Sequence, residues 1–314
     1  MKECLILPTY QRNHFLWCAL RSIREQDKKL KIFIFSDRGE DNEELLVVAK
    51  EFYAHLKITP RHNFYGNSYC VLQGLLWAYE HGYDLVHYSE DDVIHHADCL
   101  SWHREVHDRF DDVFCSCGWV FNLHAPITND LMFAPWYYAP NSCFSREKLG
   151  LVVKHANPLY FCDMQKYVLE TFPKSILHDK GKQRTTKFFE EDALIQYVME
   201  QDKSQVAWRA SALVDHIAPV GYNKPDGPKF EGTLEERIAQ VESLIADHYW
   251  RADLFSRKIV EREIGHVLPR RNLRYLVKLP GGWSTEYSSE LPKHQLPRKI
   301  HSVVLPKEAE IISL

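Results

Sequence analysis

The chain has 314 residues, of which 45 % are hydrophobic and 26 % charged, enough for one large α/β domain or two modest ones. Its formal net charge of −4 gives no general drive toward nucleic acid or an anionic membrane surface. The charge is uneven, net −9 over residues 1–250 and net +5 over residues 251–314, so the basic end is expected to dock on the acidic body or to meet a polyanion.

The first element in the chain is the apolar run Cys4-Leu5-Ile6-Leu7, closed by Pro8-Thr9. A short continuous apolar run of this kind is a buried parallel strand opening into a loop. Phe15, Leu16, Ala19, Leu20 and Ile23 then recur at helical spacing over residues 14–26. Lys31 to Phe35 is the next strand, ending at Ser36-Asp37. Residues 41–52 form a second helix whose acidic start suits the positive end of its dipole. Leu56 to Thr59 is a third strand, and a polar stretch, Asn63 to Asn67, follows it. Residues 69–79 are helical, and Asp84 to Tyr88 is a strand that delivers Ser89-Glu90-Asp91-Asp92. Strand and helix alternate with short links, which predicts a βαβ sheet covered by helices. Such sheets bind ligands beyond the carboxyl ends of their strands, where the polar stretches of this chain all fall.

After residue 110 the rhythm changes. Val113 to Cys115 and Leu131 to Ala134 read as strands within an aromatic-rich stretch: Trp119, Phe121, Trp136, Tyr137, Tyr138 and Phe144, with Asn122, Asn129 and Asn141. These residues suit a carbohydrate or nucleobase pocket, or equally the core of a mixed sheet. Residues 178–187 carry Gly181 and four Lys/Arg and read as a mobile loop. They precede a helix over 188–198 opened by Glu190-Glu191-Asp192. Residues 214–217 form a short strand with a polar pair, Asp215-His216. A Pro- and Gly-rich exit over 219–232 leads to amphipathic helix over 234–263, and residues 269–314 are expected to wrap over the body as an irregular basic tail.

Eight scattered cysteines do not make a disulfide scaffold and suit a reducing compartment. Cys115-x-Cys117 lacks the turn spacing of a zinc site. No signal-peptide pattern and no apolar run of membrane-spanning length is visible, so the expected location is cytoplasmic. Neither G-x-G-x-x-G nor G-x-x-x-x-G-K-[ST] occurs, which disfavours dinucleotide-fingerprint dehydrogenases and P-loop enzymes.

Glu90-Asp91-Asp92 is the most informative cluster. Three adjacent carboxylates at the end of a buried strand repel one another. A divalent cation carrying a phosphorylated substrate resolves that repulsion, and hard oxygen ligands suit Mg2+ or Mn2+. The alternative is a solvated acidic turn. Asp37 and Asn63 have the groups to read base edges or ribose hydroxyls, and Arg12 can neutralise phosphate.

Taken in order, these segments resemble the GT-A superfamily of nucleotide-sugar-dependent glycosyltransferases, particularly its family-2-like enzymes. Leu7-Pro8-Thr9-Tyr10-Gln11-Arg12 looks like the first strand and loop of that fold. Phe35-Ser36-Asp37 matches the second strand end, where an aspartate contacts the nucleoside. Asn63-Phe64-Tyr65-Gly66-Asn67 looks like the segment near the nucleotide. Glu90-Asp91-Asp92 falls where the family carries D-x-D, with Glu in the first position as a departure. Glu191-Asp192 matches the later E-D pair, whose Asp is the general base of inverting members, and His216 falls where several members place a histidine on the metal. The resemblance covers residues 3–220.

It implies an α/β GT-A fold with a Rossmann-like half, a mixed central sheet and a helical and irregular C-terminal extension. The implied division is 1–110 for the nucleotide sugar, 111–232 for acceptor and catalysis, and 233–314 for the extension. It implies a nucleoside-diphosphate sugar donor, UDP-sugar favoured, contacted by Pro8, Thr9, Tyr10, Arg12, Asp37, Asn63, Gly66, Asn67, Glu90 and Asp91. Mn2+ or Mg2+ is implied on Asp92, Glu90 and His216, with Asp192 and Glu191 as the catalytic pair and inversion at the anomeric carbon. The acceptor is expected to be a glycan hydroxyl; a hydroxyl-bearing modified DNA base, met by residues 251–314, is the alternative, and a homo-oligomer is left open. A nucleotidyltransferase would use the same carboxylates but needs a Gly-rich basic first loop. A non-catalytic glycan-binding protein would leave Glu90, Asp92 and Asp192 without a purpose.

Overall fold

The computed structural model describes residues 1–37, 42–59, 66–118, 131–134, 137, 140–172, 191–209, 213–217, 229–246, 273–279, 282–287 and 310–313. Four parallel strands form the first half of the sheet: β1 (Glu3–Thr9), β2 (Lys31–Asp37), β3 (His55–Thr59) and β4 (Leu85–Ser89). Their spatial order is β3-β2-β1-β4, with Cys4 opposite Lys31 in β2 and Val86 in β4. The crossovers are α1 (Asn13–Gln26), α2 (Glu43–Glu51) and α3 (Gly66–Glu80).

The continuous apolar runs of β1 and β2 exist because both sheet faces are covered. Leu5, Leu7, Ile32 and Ile34 pack with Leu16, Leu20 and Ile23 of α1 and Leu45 and Val48 of α2. Cys4, Ile6, Phe33 and Phe35 point the other way, onto Cys70, Val71, Leu75 and Ala78 of α3. Asn42 starts α2, its side chain accepting from the Leu45 amide at 3.0 Å. Gly66 and Asn67, read from sequence as the end of a polar loop, form the first turn of α3.

Beyond β4 the sheet becomes mixed. β5 (Val93–His95) leaves it, α4 (Cys99–Arg109) follows, and β6 (Val113–Cys117), β7 (Leu131–Ala134) and β8 (Asn141–Ser145) return. β8 is antiparallel to both β4 and β6. Three helices come next: α5 (Arg146–Val153), α6 (Pro158–Cys162) and α7 (Met164–Thr171). Then come α8 (Glu191–Asp202) and β9 (Gln205–Arg209), parallel to β6 and antiparallel to β7. β10 (Val214–His216) pairs antiparallel with β5 as a separate two-stranded ribbon, setting His216 opposite Val93.

Helix α9, residues 234–246, opens on a capping box. The Thr233 hydroxyl accepts from the Glu236 amide at 3.3 Å, and the Glu236 carboxylate accepts from the Thr233 amide at 2.8 Å. Ile238 and Val241 then pack on Phe15, Cys18, Ile94 and Ile217. Residues 269–314, expected as an irregular tail, instead include β11 (Leu273–Leu279), β12 (Gly282–Tyr287) and β13 (Glu310–Ser313), joined to the sheet by parallel pairing of β12 with β7, which gives their backbone groups partners. The molecule therefore has the expected α/β architecture: a Rossmann-like half and a mixed central sheet, with a C-terminal extension. Among the described residues no helix is long and apolar enough to cross a membrane.

Tyr137, Asn141 and Phe144 of the aromatic-rich stretch are buried, so these three are core residues rather than a pocket lining. Trp119, Phe121, Asn122, Asn129, Trp136 and Tyr138 lie outside the described residues. Cys115 and Cys117 are buried, with Sγ atoms 4.0 Å apart.

Candidate active site at the strand ends

The parallel strands β1, β2 and β4 all end on one edge, and Thr9, Asp37 and Glu90 leave from there. Pro8 is buried in β1 opposite Phe35, while Tyr10 is 46 % exposed. Gln11 has φ of +55°, a left-handed conformation unfavourable for a residue with a side chain. This sharp turn sends Arg12 back over the carboxylates. Its guanidinium bonds Asp91, and also Asp92 Oδ2 at 2.6 Å.

The three carboxylates divide their work. Asp91 turns toward β1, where Thr9 Oγ1 donates to its Oδ2 at 2.6 Å. Glu90 and Asp92 turn toward β10. His216 Nε2 lies 3.4 Å from Glu90 Oε2 and 3.3 Å from Asp92 Oδ1. One ligand atom from each of Glu90, Asp92 and His216 falls within 4.8 Å of the other two. Asp92 is pinned from behind, because the Ile217 amide donates to its carbonyl at 3.1 Å. Its Oδ1 is buried, and its neighbour is the His216 imidazole rather than a backbone amide.

Electrostatics agree with a site built for a cation. Burial is the largest influence on Glu90 and, with Asp92 beside it, raises its carboxyl to about 7 against the pull of His216 and Arg12. Burial also lifts Asp91, to about 6, with Arg12 opposing. For Asp92 burial again pushes up, but His216 and Arg12 outweigh it and hold the carboxyl below its ordinary range. His216 is lowered by burial and raised more strongly by Asp92 and Glu90, so it ends above its usual value. Two carboxylates and an imidazole are a donor set that suits Mn2+ or Mg2+, and Asp92 Oδ1, Glu90 Oε2 and His216 Nε2 face one another closely enough to share such an ion. These residues therefore fit a divalent cation.

Asp37 sits at the end of β2 against the start of α3. A Cβ on Gly66 would overlap Asp37 Oδ2, so a side chain there would push the Asp37 carboxylate aside. Asn67 and Ser68 in the same turn reach the start of α8. Asn67 Nδ2 donates to Glu191 Oε1 at 2.6 Å, and the Ser68 hydroxyl donates to Glu191 Oε2. Glu191 is buried, and burial with Asp192 alongside raises its carboxyl to about 8. Asp192 is solvent-exposed, with its Oδ1 accepting from the Ala193 amide at 2.6 Å. Its carboxyl is nevertheless raised above the ordinary range by desolvation, against the hydrogen bond from the Ala193 amide. Tyr88 lies between the two carboxylate groups. It donates to Glu90 at 3.5 Å, and the charges of Glu90, Glu191 and Asp192 all add to the rise that burial imposes on its hydroxyl.

The structure thus brings together Thr9, Arg12, Glu90, Asp91, Asp92 and His216, and separately Asp37, Gly66, Asn67, Glu191 and Asp192. Asn63 and the 178–187 loop lie outside the described residues. Sequence reading missed Ser68 and the hold of Thr9 on Asp91. Neither carries a local signal, since each acts on a partner at least 82 positions away.

No family model and no curated protein sequence matches the chain. Solved structures do. A mannosyltransferase, PcManGT, from Pyrobaculum calidifontis, in complex with GDP-Man and Mn2+, is 16 % identical over 49 % of this chain and 46 % of its own, with a TM-score of 0.36. TarS 1–349 from S. aureus in complex with UDP-GlcNAc is 15 % identical over 70 % and 62 %, with a TM-score of 0.41. Glucosyl-3-phosphoglycerate synthase from Mycobacterium tuberculosis, in complex with Mn2+, UDP and glucosyl-3-phosphoglycerate, is 11 % identical over 46 % and 57 %, with a TM-score of 0.35. The chain spans 46 to 62 % of the length of these three proteins.

Proposed function

We propose that the protein is a metal-dependent glycosyltransferase. It moves a sugar from a nucleoside-diphosphate sugar to an acceptor hydroxyl with inversion. The observation that carries this reading is the convergence of Glu90, Asp92 and His216 beyond the strand ends, one ligand atom from each within 4.8 Å of the others. A divalent cation held by these three would neutralise the leaving diphosphate.

The chain's own residues supply the rest. Arg12, about one-third exposed at its side chain, presents positive charge toward the phosphates while it fixes Asp91 and Asp92. Asp37, with Gly66 packed on it, is the candidate for the nucleoside. The acceptor oxygen attacks the anomeric carbon, the bond from that carbon to the diphosphate oxygen breaks, and its electron pair leaves with the nucleoside diphosphate. Asp192 takes the acceptor's proton as the new bond forms. A raised and solvent-accessible carboxyl suits a base that must hold that proton. UDP is the favoured nucleotide and a glycan hydroxyl the favoured acceptor; the acidic body, net −9 over residues 1–250, disfavours DNA.

A panel of UDP- and GDP-sugars incubated with Mn2+ and no acceptor tests the class. Slow metal-dependent release of UDP or GDP is expected, abolished by chelator. Pyrophosphate released from a nucleoside triphosphate would instead support a nucleotidyltransferase. If calorimetry with Mn2+ shows binding of neither UDP nor GDP and no sugar nucleotide is consumed, the reading fails.

A further inference from the structure

Two groups of candidate residues lie on different elements, and one buried side chain joins them. Asp37 and Gly66 meet at the start of α3; Asp192 stands at the start of α8. Between them, Glu191 uses both carboxylate oxygens on α3, one accepting from Asn67 Nδ2 at 2.6 Å and one from the Ser68 hydroxyl. The link closes on itself, because the Glu191 amide donates back to the Ser68 oxygen at 3.3 Å. Glu191 is 4 % exposed and Ser68 2 %, so water does not compete for these bonds.

Position separates Glu191 from its neighbour. Asp192 opens to solvent, where an acceptor can reach it; Glu191 points into protein with both oxygens occupied. A group so placed does not touch the reacting atoms. It does fix where the first turn of α8 sits relative to the first turn of α3, and Gly66 in that turn is in contact range of Asp37. The base must lie within hydrogen-bond reach of the acceptor hydroxyl, and an error of about 1 Å can lower the rate on the order of 10²-fold.

We propose that Glu191 is a positioning residue, the joint through which the nucleoside end of the site, at Asp37 and Gly66, sets the place of the base Asp192. It rests on the glycosyltransferase reading for what Asp192 does, but the joint itself is independent of that reading. Its removal frees the start of α8 without emptying the donor site.

The test uses the full chain with Glu191→Gln, Glu191→Ala and Ser68→Ala. Glutamine keeps an acceptor toward Asn67 and a polar group toward Ser68. Its turnover is expected within about fivefold of wild type, whereas Glu191→Ala falls by roughly 10²-fold with the Kd for UDP or GDP and Mn2+ changed less than about threefold. Ser68→Ala is expected to fall between the two. Amide exchange needs no substrate: residues 191–194 should exchange at least about tenfold faster in Glu191→Ala than in wild type, with the β1, β2 and β4 amides unchanged. Glutamine as damaging as alanine in turnover would make the carboxyl itself a reacting group and overturn the proposal. Wild-type exchange at residues 191–194 in Glu191→Ala would overturn it too. If Glu191→Ala does not fold, Ser68→Ala read by exchange decides in the same way. Wild type that neither binds nucleotide nor consumes sugar nucleotide refutes the glycosyltransferase reading alone, since the exchange result still stands or falls separately.

Discussion

Asp92 shows how one residue can serve two neighbours. Its Oδ2 takes the Arg12 guanidinium at 2.6 Å, and its Oδ1 faces His216 Nε2 at 3.3 Å. The repulsion that the Glu90-Asp91-Asp92 triplet announces in the sequence is thus met partly by Arg12, leaving one face of the cluster for an added cation. Asp192 is the residue whose replacement separates chemistry from binding. Asp192→Asn keeps an oxygen to accept from the Ala193 amide, so the helix start survives. Transfer is expected to fall about 10²- to 10⁴-fold, with the Kd for the nucleotide and Mn2+ within about twofold, measured by initial rates and calorimetry. Full turnover in this variant would remove Asp192 as the base. A product with retained anomeric configuration, read by proton NMR, would overturn inversion even if the rate fell.

Between elements, a buried polar chain ties α4 to the sheet behind the carboxylates. His103 of α4 bonds the Ser116 hydroxyl of β6 at 2.6 Å and Asn141 Oδ1 of β8 at 2.8 Å, and Asn141 Nδ2 reaches His95 of β5 at 3.3 Å. Burial, with His87 nearby, holds His103 far below its ordinary value, and burial takes His95 to about 3. These imidazoles are neutral in the folded chain, whereas the unfolded chain protonates them below about pH 6.5. The unfolded state then binds more protons, so stability is full above that pH and drops as pH falls toward the folded values, by about 1.4 kcal/mol per pH unit for each group. Glu90 at about 7 and Glu191 at about 8 act in the opposite sense, because they stay protonated in the folded chain where the unfolded chain has ionised. A variant difference isolates the histidine. His103→Gln is expected to lower stability at pH 7.5 by about 1–2 kcal/mol through imperfect replacement of two hydrogen bonds. Between pH 6 and pH 5 its stability should depend on pH less steeply than wild type, by about 1.4 kcal/mol per unit. Urea unfolding at several pH values measures both, and parallel pH curves would contradict the neutral-histidine account.

For the molecule as a whole, α9 returns the chain to the N-terminal half. Ile238 and Val241 cover Phe15, Cys18, Ile94 and Ile217, and Arg237 pairs with Glu44 at 2.6 Å. Ile217 directly follows His216 in sequence, so this packing backs the third member of the proposed metal cluster. Ending the chain at residue 228 uncovers several fully apolar side chains, each representing about 1.5–3 kcal/mol of burial. A large fall in the urea midpoint and at least about tenfold weaker Mn2+ binding are expected. Ending it at residue 250 keeps α9, and Mn2+ affinity should stay within about threefold of wild type. Equal Mn2+ affinity and stability in the two truncations would show that α9 does not support the site. Donor hydrolysis kept but transfer lost in the longer truncation would put acceptor recognition in residues 251–314.

The alternation of apolar strands and amphipathic helices determined the Rossmann-like half, because a strand buried on both faces must be a continuous apolar run and its crossover helix must be amphipathic. The same logic put the polar stretches at the carboxyl ends, so Arg12, Asp37 and Glu90 to Asp92 were legible as candidates, while Asp192, at a helix start, was legible only through the family likeness of the Glu191-Asp192 pair. His216 was legible only as a polar residue in a short strand with a family likeness; its approach to Glu90 and Asp92 depends on the β5–β10 pairing. The aromatic stretch stayed open between pocket and core because composition carries no direction, and packing decided it for Tyr137 and Phe144. Least legible was the division of labour inside adjacent pairs. Asp91 differs from Asp92, and Glu191 from Asp192, by which way each side chain turns. That is set by Thr9, Arg12, Asn67 and Ser68, which folding brings from 80 to more than 120 residues away.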